Sequence, residues 1–339
     1  MSTDALEGYL DERLGGRVPI RLEPIKGGGS CEVFALDRGA CQWVLRRAPR
    51  HASSATAHDV LREFRILDAI KDEPVRIARP VLSCSDVDVF EAPFYVMERI
   101  PGSPVRASVP AGWAAAPETH GTALEELIDA LVAIHTVDWE ACGLGDLART
   151  GDYLPRQLTR WLTQLDSYGG RDLPGARRIA DWLGEHRPVT QASALCHGDY
   201  KLDNVLFAAD APPRLLAVVD WEMASIGDPL VDLAWALIFH PGPEGTMPLG
   251  RAKDPKFALD HLPDRQVLVE RYALGSGRDA SAIDWYDVFA RWKLAIVLEG
   301  SYAKHQRGLS DNPVHEFFGH QVDLLVDSAM RILEHKGVA

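Results

Sequence analysis

His197, Gly198 and Asp199 stand together, Asn204 follows five residues after the aspartate, and Asp220 lies sixteen residues beyond Asn204. Residues of these types at these intervals suit the transfer of a phosphoryl group from a nucleotide to a hydroxyl. That reaction asks little covalent chemistry of a protein. It needs a carboxylate to orient the attacking hydroxyl and take its proton, and oxygen ligands for magnesium ions that bridge the phosphates. A tight loop carrying Asp199 and Asn204 presents the first as base and the second as metal ligand. Asp220, directly after the apolar run Leu215-Leu216-Ala217-Val218-Val219, supplies the main metal oxygen. The plainer roles fall to their neighbours. His197 reads as an architectural turn histidine, Asp203 as a solvated or loop-capping carboxylate, Asp228 as the cap of the next helix, and Asp232 as a hydrogen-bonding partner of the loop. A metallohydrolase built on His197 and Asp199 is the competing chemistry, but no further His or Asp follows at ligand spacing.

Elements that could position these groups fall into two kinds. An amphipathic helix over 1–20 (Leu6, Leu10, Leu14) precedes β-type runs at 21–25, 31–36 and 41–47, which read as an antiparallel meander. The first two runs flank Gly27-Gly28-Gly29-Ser30, where missing side chains let backbone N–H groups approach phosphates. A helix over 57–70 and strands at 81–85 and 94–100 follow, then a Pro-, Gly- and Ala-rich loop or linker at 101–120. Beyond it the apolar period changes from strand-like to helical, with helices expected at 124–134, 154–165, 174–186, 228–239, 264–274, 282–306 and 315–335. Two short strands, 204–208 and 214–219, sit inside the catalytic block. Strands cluster first and helices second, so the class is α+β, with a small sheet-bearing lobe at 1–100, a hinge at 101–120 and a larger helical lobe at 121–339.

The order H-G-D-x-x-x-x-N followed by D-W-E resembles the catalytic and metal-binding loops of the protein-kinase-like superfamily, and within it the aminoglycoside phosphotransferase family. Protein kinases carry H-R-D and D-F-G at these places. Here Gly198 stands for the Arg and Trp221-Glu222 for Phe-Gly, so no switch by activation-loop phosphorylation is expected. The resemblance implies a protein-kinase-like bilobal fold and assigns further positions. Arg46 in Val44-Leu45-Arg46 matches the phosphate-clamping basic residue of the third strand, usually a lysine, with Glu63 as its helix partner; Arg47 is the other candidate for that contact. The stretch from Phe94 to Gly102 matches the last strand and hinge, which puts Met97 in the adenine pocket and the backbone of Glu98 and Ile100 on the base edge. Gly28, Gly29 and Ser30 would then cover the phosphates of ATP or GTP. Within the family the chain is most similar to the kinase-like domain fused to some acyl-CoA dehydrogenases, which implies hydroxy acids or hydroxyacyl-CoA as acceptors ahead of aminoglycosides or macrolides.

The acceptor is expected between Asp199 and the helices near 153–165 and 282–306. Trp161, Trp285, Trp292 and Tyr302 are lining candidates, although aromatics at helical spacing are more often core. Arg291, Lys293, Lys304 and His305 could meet an anionic acceptor, yet mixed charge on a long helix is usually a solvated face, and none of the four is assigned to the site. Charges sum to 36 − 49 = −13, a field that repels nucleic acid and anionic membranes. Five scattered cysteines without a C-x-x-C pair suit a reducing compartment, and the charged start and lack of a long apolar run suit a cytoplasmic protein. The expected activity is phosphotransfer from a magnesium-bound nucleotide to a small-molecule hydroxyl. A catalytically silent nucleotide- or acyl-CoA-binding pseudokinase is the alternative.

Overall fold

The computed structural model describes residues 3–25, 31–49, 59–106, 108–190, 192–240 and 257–335. Helix α1 (Asp4–Leu14) leads into β1 (Ile20–Pro24), β2 (Glu32–Arg38) and β3 (Cys41–Arg47), which pair as an antiparallel meander. The glycine turn expected at 27–30, and with it Gly28, Gly29 and Ser30, lies outside the described residues. Helix α2 (Val60–Ile70) starts where the Asp59 carboxylate accepts the Arg62 N–H at 3.0 Å, a side-chain cap for an otherwise orphan donor. Strand β4 (Pro80–Cys84), the single-turn α3 (Val87–Phe90) and β5 (Phe94–Glu98) complete a five-stranded sheet ordered β1-β2-β3-β5-β4. Alternation along β5 divides its side chains between two faces. Phe94 and Val96 pack with Leu6 and Leu10 of α1, whereas Tyr95 and Met97 join the core that α2 shares with the helical part.

The segment expected to be a plain linker is partly helical. It holds α4 (Ala111–Ala114), and Trp113 is buried with its indole N–H donating to the Ala208 and Asp210 carbonyls. Pro110 and Ala-rich composition hid a buried anchor there. Helix α5 (His120–His135), α6 (Tyr153–Ser167) and α7 (Pro174–Glu185) follow. The catalytic block then adds four very short strands: β6 (Ala194–Cys196), β7 (Val205–Phe207), β8 (Leu215–Val218) and β9 (Ser225–Gly227), paired β6 with β9 and β7 with β8. Helices α8 (Leu230–Leu237), α9 (Arg265–Ser276), α10 (Ile283–Gln306) and α11 (Val314–His335) complete the chain. Among the described residues no helix is long and apolar enough to cross a membrane.

Helix α10 is central. Most of its length is buried, and the indole N–H groups of Trp285 and Trp292 donate to the Leu183 and Ala176 carbonyls at 3.2 and 2.8 Å. Those two tryptophans are core residues that anchor α7. Arg291 turns inward onto Asp287, so it too is spent on structure.

Candidate active site

The loop between β6 and β7 carries His197 to Asn204 and is fixed from below. Asp232, on the first turn of α8 and fully buried, accepts the backbone N–H groups of His197 at 2.5 Å and Gly198 at 2.9 Å. Burial works against its charged form, but His135 and the donated N–H groups outweigh that and hold the carboxyl below its ordinary range. His197 is buried, with Nε2 3.0 Å from the Val219 carbonyl and Nδ1 facing the Asp199 N–H, an arrangement in which both ring nitrogens are occupied. Burial pushes its pKa down. Gly198 has φ +86° and a Cβ there would run into the Met223 carbonyl, so only glycine fits between the histidine and the aspartate. Asp228 accepts the Leu230 N–H at 3.1 Å and the Tyr286 hydroxyl at 2.6 Å, which makes it a cap and a tether.

Asp199 sits at the mouth of the loop, about a quarter exposed at 27%. The Asn204 Nδ2 donates to its Oδ2 at 2.9 Å, and the Trp235 indole N–H donates to Oδ1 at 2.8 Å. Lys201 Nζ lies 2.8 and 2.7 Å from the two oxygens. Lys201 and Trp235 were not singled out in the sequence. Lys201 was visible two places after the aspartate, whereas Trp235 reaches it across 36 residues and left no local signal.

Asp220 opens the loop between β8 and β9 in a left-handed conformation, φ +72° and ψ +59°, which few residues other than glycine adopt. Val219 donates its N–H to the Asn204 carbonyl at 2.9 Å and its carbonyl faces His197, so the two loops share a backbone seam. On the far side, Glu63 accepts the Trp221 N–H at 3.0 Å. Arg46 spans the remaining gap, with Nε 3.2 Å from Glu63 and Nη2 3.0 Å from Asp220. Burial disfavours the guanidinium, but Glu63, Tyr95 and Asp220 together hold its pKa above the ordinary arginine value. Burial, joined by the Asp220 carboxylate, pushes Glu63 up to about 7 against the opposing pull of Arg46.

Strand alternation separates the two arginines that the sequence left as alternatives. Arg47 faces the other side of the sheet, fully buried, with its guanidinium 4.2 Å from the Phe90 ring centroid and 2.6 Å from Glu32. Only Arg46 meets Glu63 and Asp220. In the hinge, Met97 lies opposite Val44 across β3 and β5 and is buried. The Glu98 N–H is already given to the Arg79 carbonyl at 2.9 Å, and the Ile100 carbonyl accepts from Gly102. The Ile100 N–H has no acceptor among the described residues. Of the residues proposed to face the acceptor, Lys304 is exposed, and His305 is turned to the Ser310 carbonyl at 3.3 Å. Tyr302 lies under the Arg171 guanidinium at 5.2 Å. Lys293 behaves differently: it reaches the catalytic loop, its Nζ donating to the Gly198 carbonyl at 3.2 Å.

The donor set fits magnesium. Asn204 uses its amide nitrogen on Asp199, which leaves Oδ1 without a hydrogen bond among the described residues. Asp220 gives Oδ1 to Arg46 and keeps Oδ2 in the same condition. Two oxygens and no soft ligand suit a hard divalent cation.

The sequence pattern of the phosphotransferase enzyme family, abbreviated APH, matches residues 21–291. The chain belongs to that family. It is 32% identical over 318 residues to acyl-CoA dehydrogenase family member 11 of Gallus gallus, covering 92% of this chain and 40% of that protein. The chain spans less than half the length of the acyl-CoA dehydrogenase relatives it matches. A crystal structure from Ralstonia eutropha, assigned provisionally as an aminoglycoside phosphotransferase, is 28% identical and superposes with a TM-score of 0.82 over 97% of this chain and 98% of that one. Spectinomycin phosphotransferase, solved with ADP and spectinomycin, shares the fold at 15% identity and a TM-score of 0.61, covering 98% of each chain. These matches show the fold expected from the sequence, and the family is one of phosphotransferase enzymes.

Proposed function

We propose that this member of the family moves the γ-phosphoryl group of ATP or GTP to the hydroxyl of a small molecule, with Asp199 as the base. The hydroxyl gives its proton to Asp199, its oxygen bonds to the γ-phosphorus, and the bond to the β–γ bridging oxygen breaks to release the nucleoside diphosphate. The observation that carries this reading is the convergence of Asp199, Asn204, Asp220, Arg46 and Glu63 through a continuous set of hydrogen bonds and ion pairs. Trp235 and Asn204 aim the carboxylate, and Lys201 brings positive charge to the place where the phosphoryl group passes. Arg46, held by Glu63, meets the nucleotide phosphates. Asn204 Oδ1 and Asp220 Oδ2 would hold magnesium, which neutralises phosphate charge when bound. Met97 would line the base pocket, with the Glu98 carbonyl and Ile100 N–H on the base edge, and the loop of Gly28, Gly29 and Ser30 would close over the phosphates.

Asp199→Ala tests the assignment. Acceptor-dependent nucleotide consumption should fall at least a thousandfold, while nucleotide affinity stays within a few-fold of wild type. Asp220→Ala should instead lose magnesium-dependent nucleotide binding. Wild-type turnover in Asp199→Ala would refute the base assignment, and a wild-type protein that binds nucleotide but consumes none would be the silent regulatory module.

A further inference from the structure

Helix α2 meets the loop of Asp220 with two adjacent side chains of opposite kind. Glu63 accepts the Trp221 N–H. Arg62, one residue earlier and half-buried, supplies donors instead: Nη1 lies 3.2 Å from the Glu222 carbonyl and Nη2 2.5 Å from the Ala224 carbonyl. Among the described residues these are the only hydrogen bonds of its guanidinium, and both go to main chain. Burial pushes its pKa below the ordinary arginine value, so the charge is held there against a desolvation cost.

The gripped segment is the one that sets where Asp220 points. It runs from Asp220, at positive φ, through the short turn Trp221–Met223 to Ser225, where β9 begins. Its ends are tied to the catalytic loop: Val219 donates to the Asn204 carbonyl, and Ser225 pairs with Cys196. Its interior has one turn bond of its own, from the Ala224 N–H to the Trp221 carbonyl. The carbonyls then divide. Those of Glu222 and Ala224 meet Arg62, while the Met223 carbonyl between them lies against Gly198, where no Cβ fits. The segment is thus held between the catalytic loop and α2. A guanidinium suits the task because its planar fork presents donors to two acceptors in a fixed geometry, whereas an ammonium is a point charge. Arg65, three residues further along α2, provides the contrast: it is exposed and pairs with Asp146 at 2.7 Å. Docking of the helix and clamping of the loop therefore fall to different arginines.

We infer that Arg62 is a positioning residue for metal binding: by holding the Glu222 and Ala224 carbonyls, it fixes the Asp220 carboxylate in the orientation that receives magnesium. This rests on the reading of Asp220 as a metal ligand and names the side chain that orients it. The clamp needs no phosphorylated residue, because its acceptors are main-chain carbonyls that are always present.

The experiment compares wild type with Arg62→Met, Arg62→Lys and, as a control for helix docking, Arg65→Met. One readout needs no metal: hydrogen exchange across residues 219–226 in the free protein. Arg62→Met should exchange there roughly tenfold faster or more, the loss expected of a charge-assisted hydrogen bond. The other is affinity for a non-hydrolysable ATP analogue, measured in magnesium and in EDTA. Arg62→Met should shrink the gain from magnesium by roughly tenfold and leave the affinity in EDTA within a few-fold of wild type. Arg62→Lys should fall between the two, and Arg65→Met should match wild type in both readouts. An unchanged exchange rate or an unchanged magnesium gain in Arg62→Met (or in Arg62→Lys, should the first not fold) would overturn the inference. Equal changes in Arg62→Met and Arg65→Met would do the same, and both results leave Asp220 as the ligand. No gain from magnesium in the wild-type protein would instead overturn the metal reading of Asp220, and this inference would fall with it.

Discussion

Removing the charge of Lys293 should stabilise the protein, and the amount follows from its environment. Burial lowers the Lys293 pKa from its ordinary 10.5 to about 8, while Asp232 from α8 and Asp199 from the catalytic loop pull it up and Arg160 from α6 and Lys201 push it further down. A pKa depressed on folding means that the charged form is disfavoured in the native state. Below pH 8 both folded and unfolded chains carry the proton, and the native state bears the full cost. Between pH 8 and 10.5 the unfolded chain binds the extra proton, so stability rises with pH across that window. At roughly 1.4 kcal/mol for each tenfold change in proton affinity, the drop to about 8 corresponds to about 3 kcal/mol. Lys293→Met escapes this cost but orphans the Gly198 carbonyl, a loss of about 1 kcal/mol. The variant should therefore be about 2 kcal/mol more stable than wild type at pH 7. Its advantage should shrink as pH climbs from 8 toward 10. Urea unfolding of both proteins at stepped pH measures the difference directly, because every other titrating group is common to the pair. A variant less stable than wild type at pH 7, with a difference that does not change up to pH 10, would refute the account.

Other outcomes follow from single contacts. Trp235→Phe keeps the ring but removes the donor to Asp199 Oδ1, a charge-assisted bond of about 1.5–3 kcal/mol, so kcat should fall tenfold or more with the melting temperature little changed. Asp232→Asn leaves one of the two N–H groups of His197 and Gly198 without its acceptor and should cost about 1–3 kcal/mol by denaturant unfolding, with kcat reduced more than nucleotide affinity. Arg46→Met and Arg47→Met should part company in a thermal-shift titration with nucleotide. The first weakens nucleotide binding at least tenfold, whereas the second lowers intrinsic stability by about 3 kcal/mol because its guanidinium is packed between rings and paired with Glu32.

What the sequence made legible was chemistry confined to short spans and periodicity sustained over long ones. The interval between Asp199 and Asn204 is set by the reach of one loop, so it survives as a pattern. The five strands of the sheet are short runs of β-type residues, most of them bounded by turn signals, and are placed within two residues. By contrast, β6 and β9 have three residues each and too little length to show a period, and they meet in register from Ala194–Gly227 to Cys196–Ser225 across about 30 residues of chain. Trp113 looked like part of a linker because a buried anchor and an exposed one have the same letter. Lys293 was indistinguishable from a solvated charge until α10 proved to be buried on nearly every side, which turns the same mixed composition into a cost.

The two arginines of β3 show how little separates a functional charge from a structural one. They are adjacent and buried, and each has an acidic partner, yet the pleat sends one to Glu63 and Asp220 and the other into the aromatic face beneath α1. Register decides their roles, and register is fixed here by Arg46 standing opposite Tyr95 and Arg47 opposite Phe94 in β5. A one-residue slip of β3 would bury Arg46 among phenylalanines and turn Leu45 toward Glu63 and Asp220. The apolar packing of Phe34, Leu45, Phe90 and Phe94 against α1 is what forbids that slip. The first helix therefore bears on the placement of Arg46 through the register it protects.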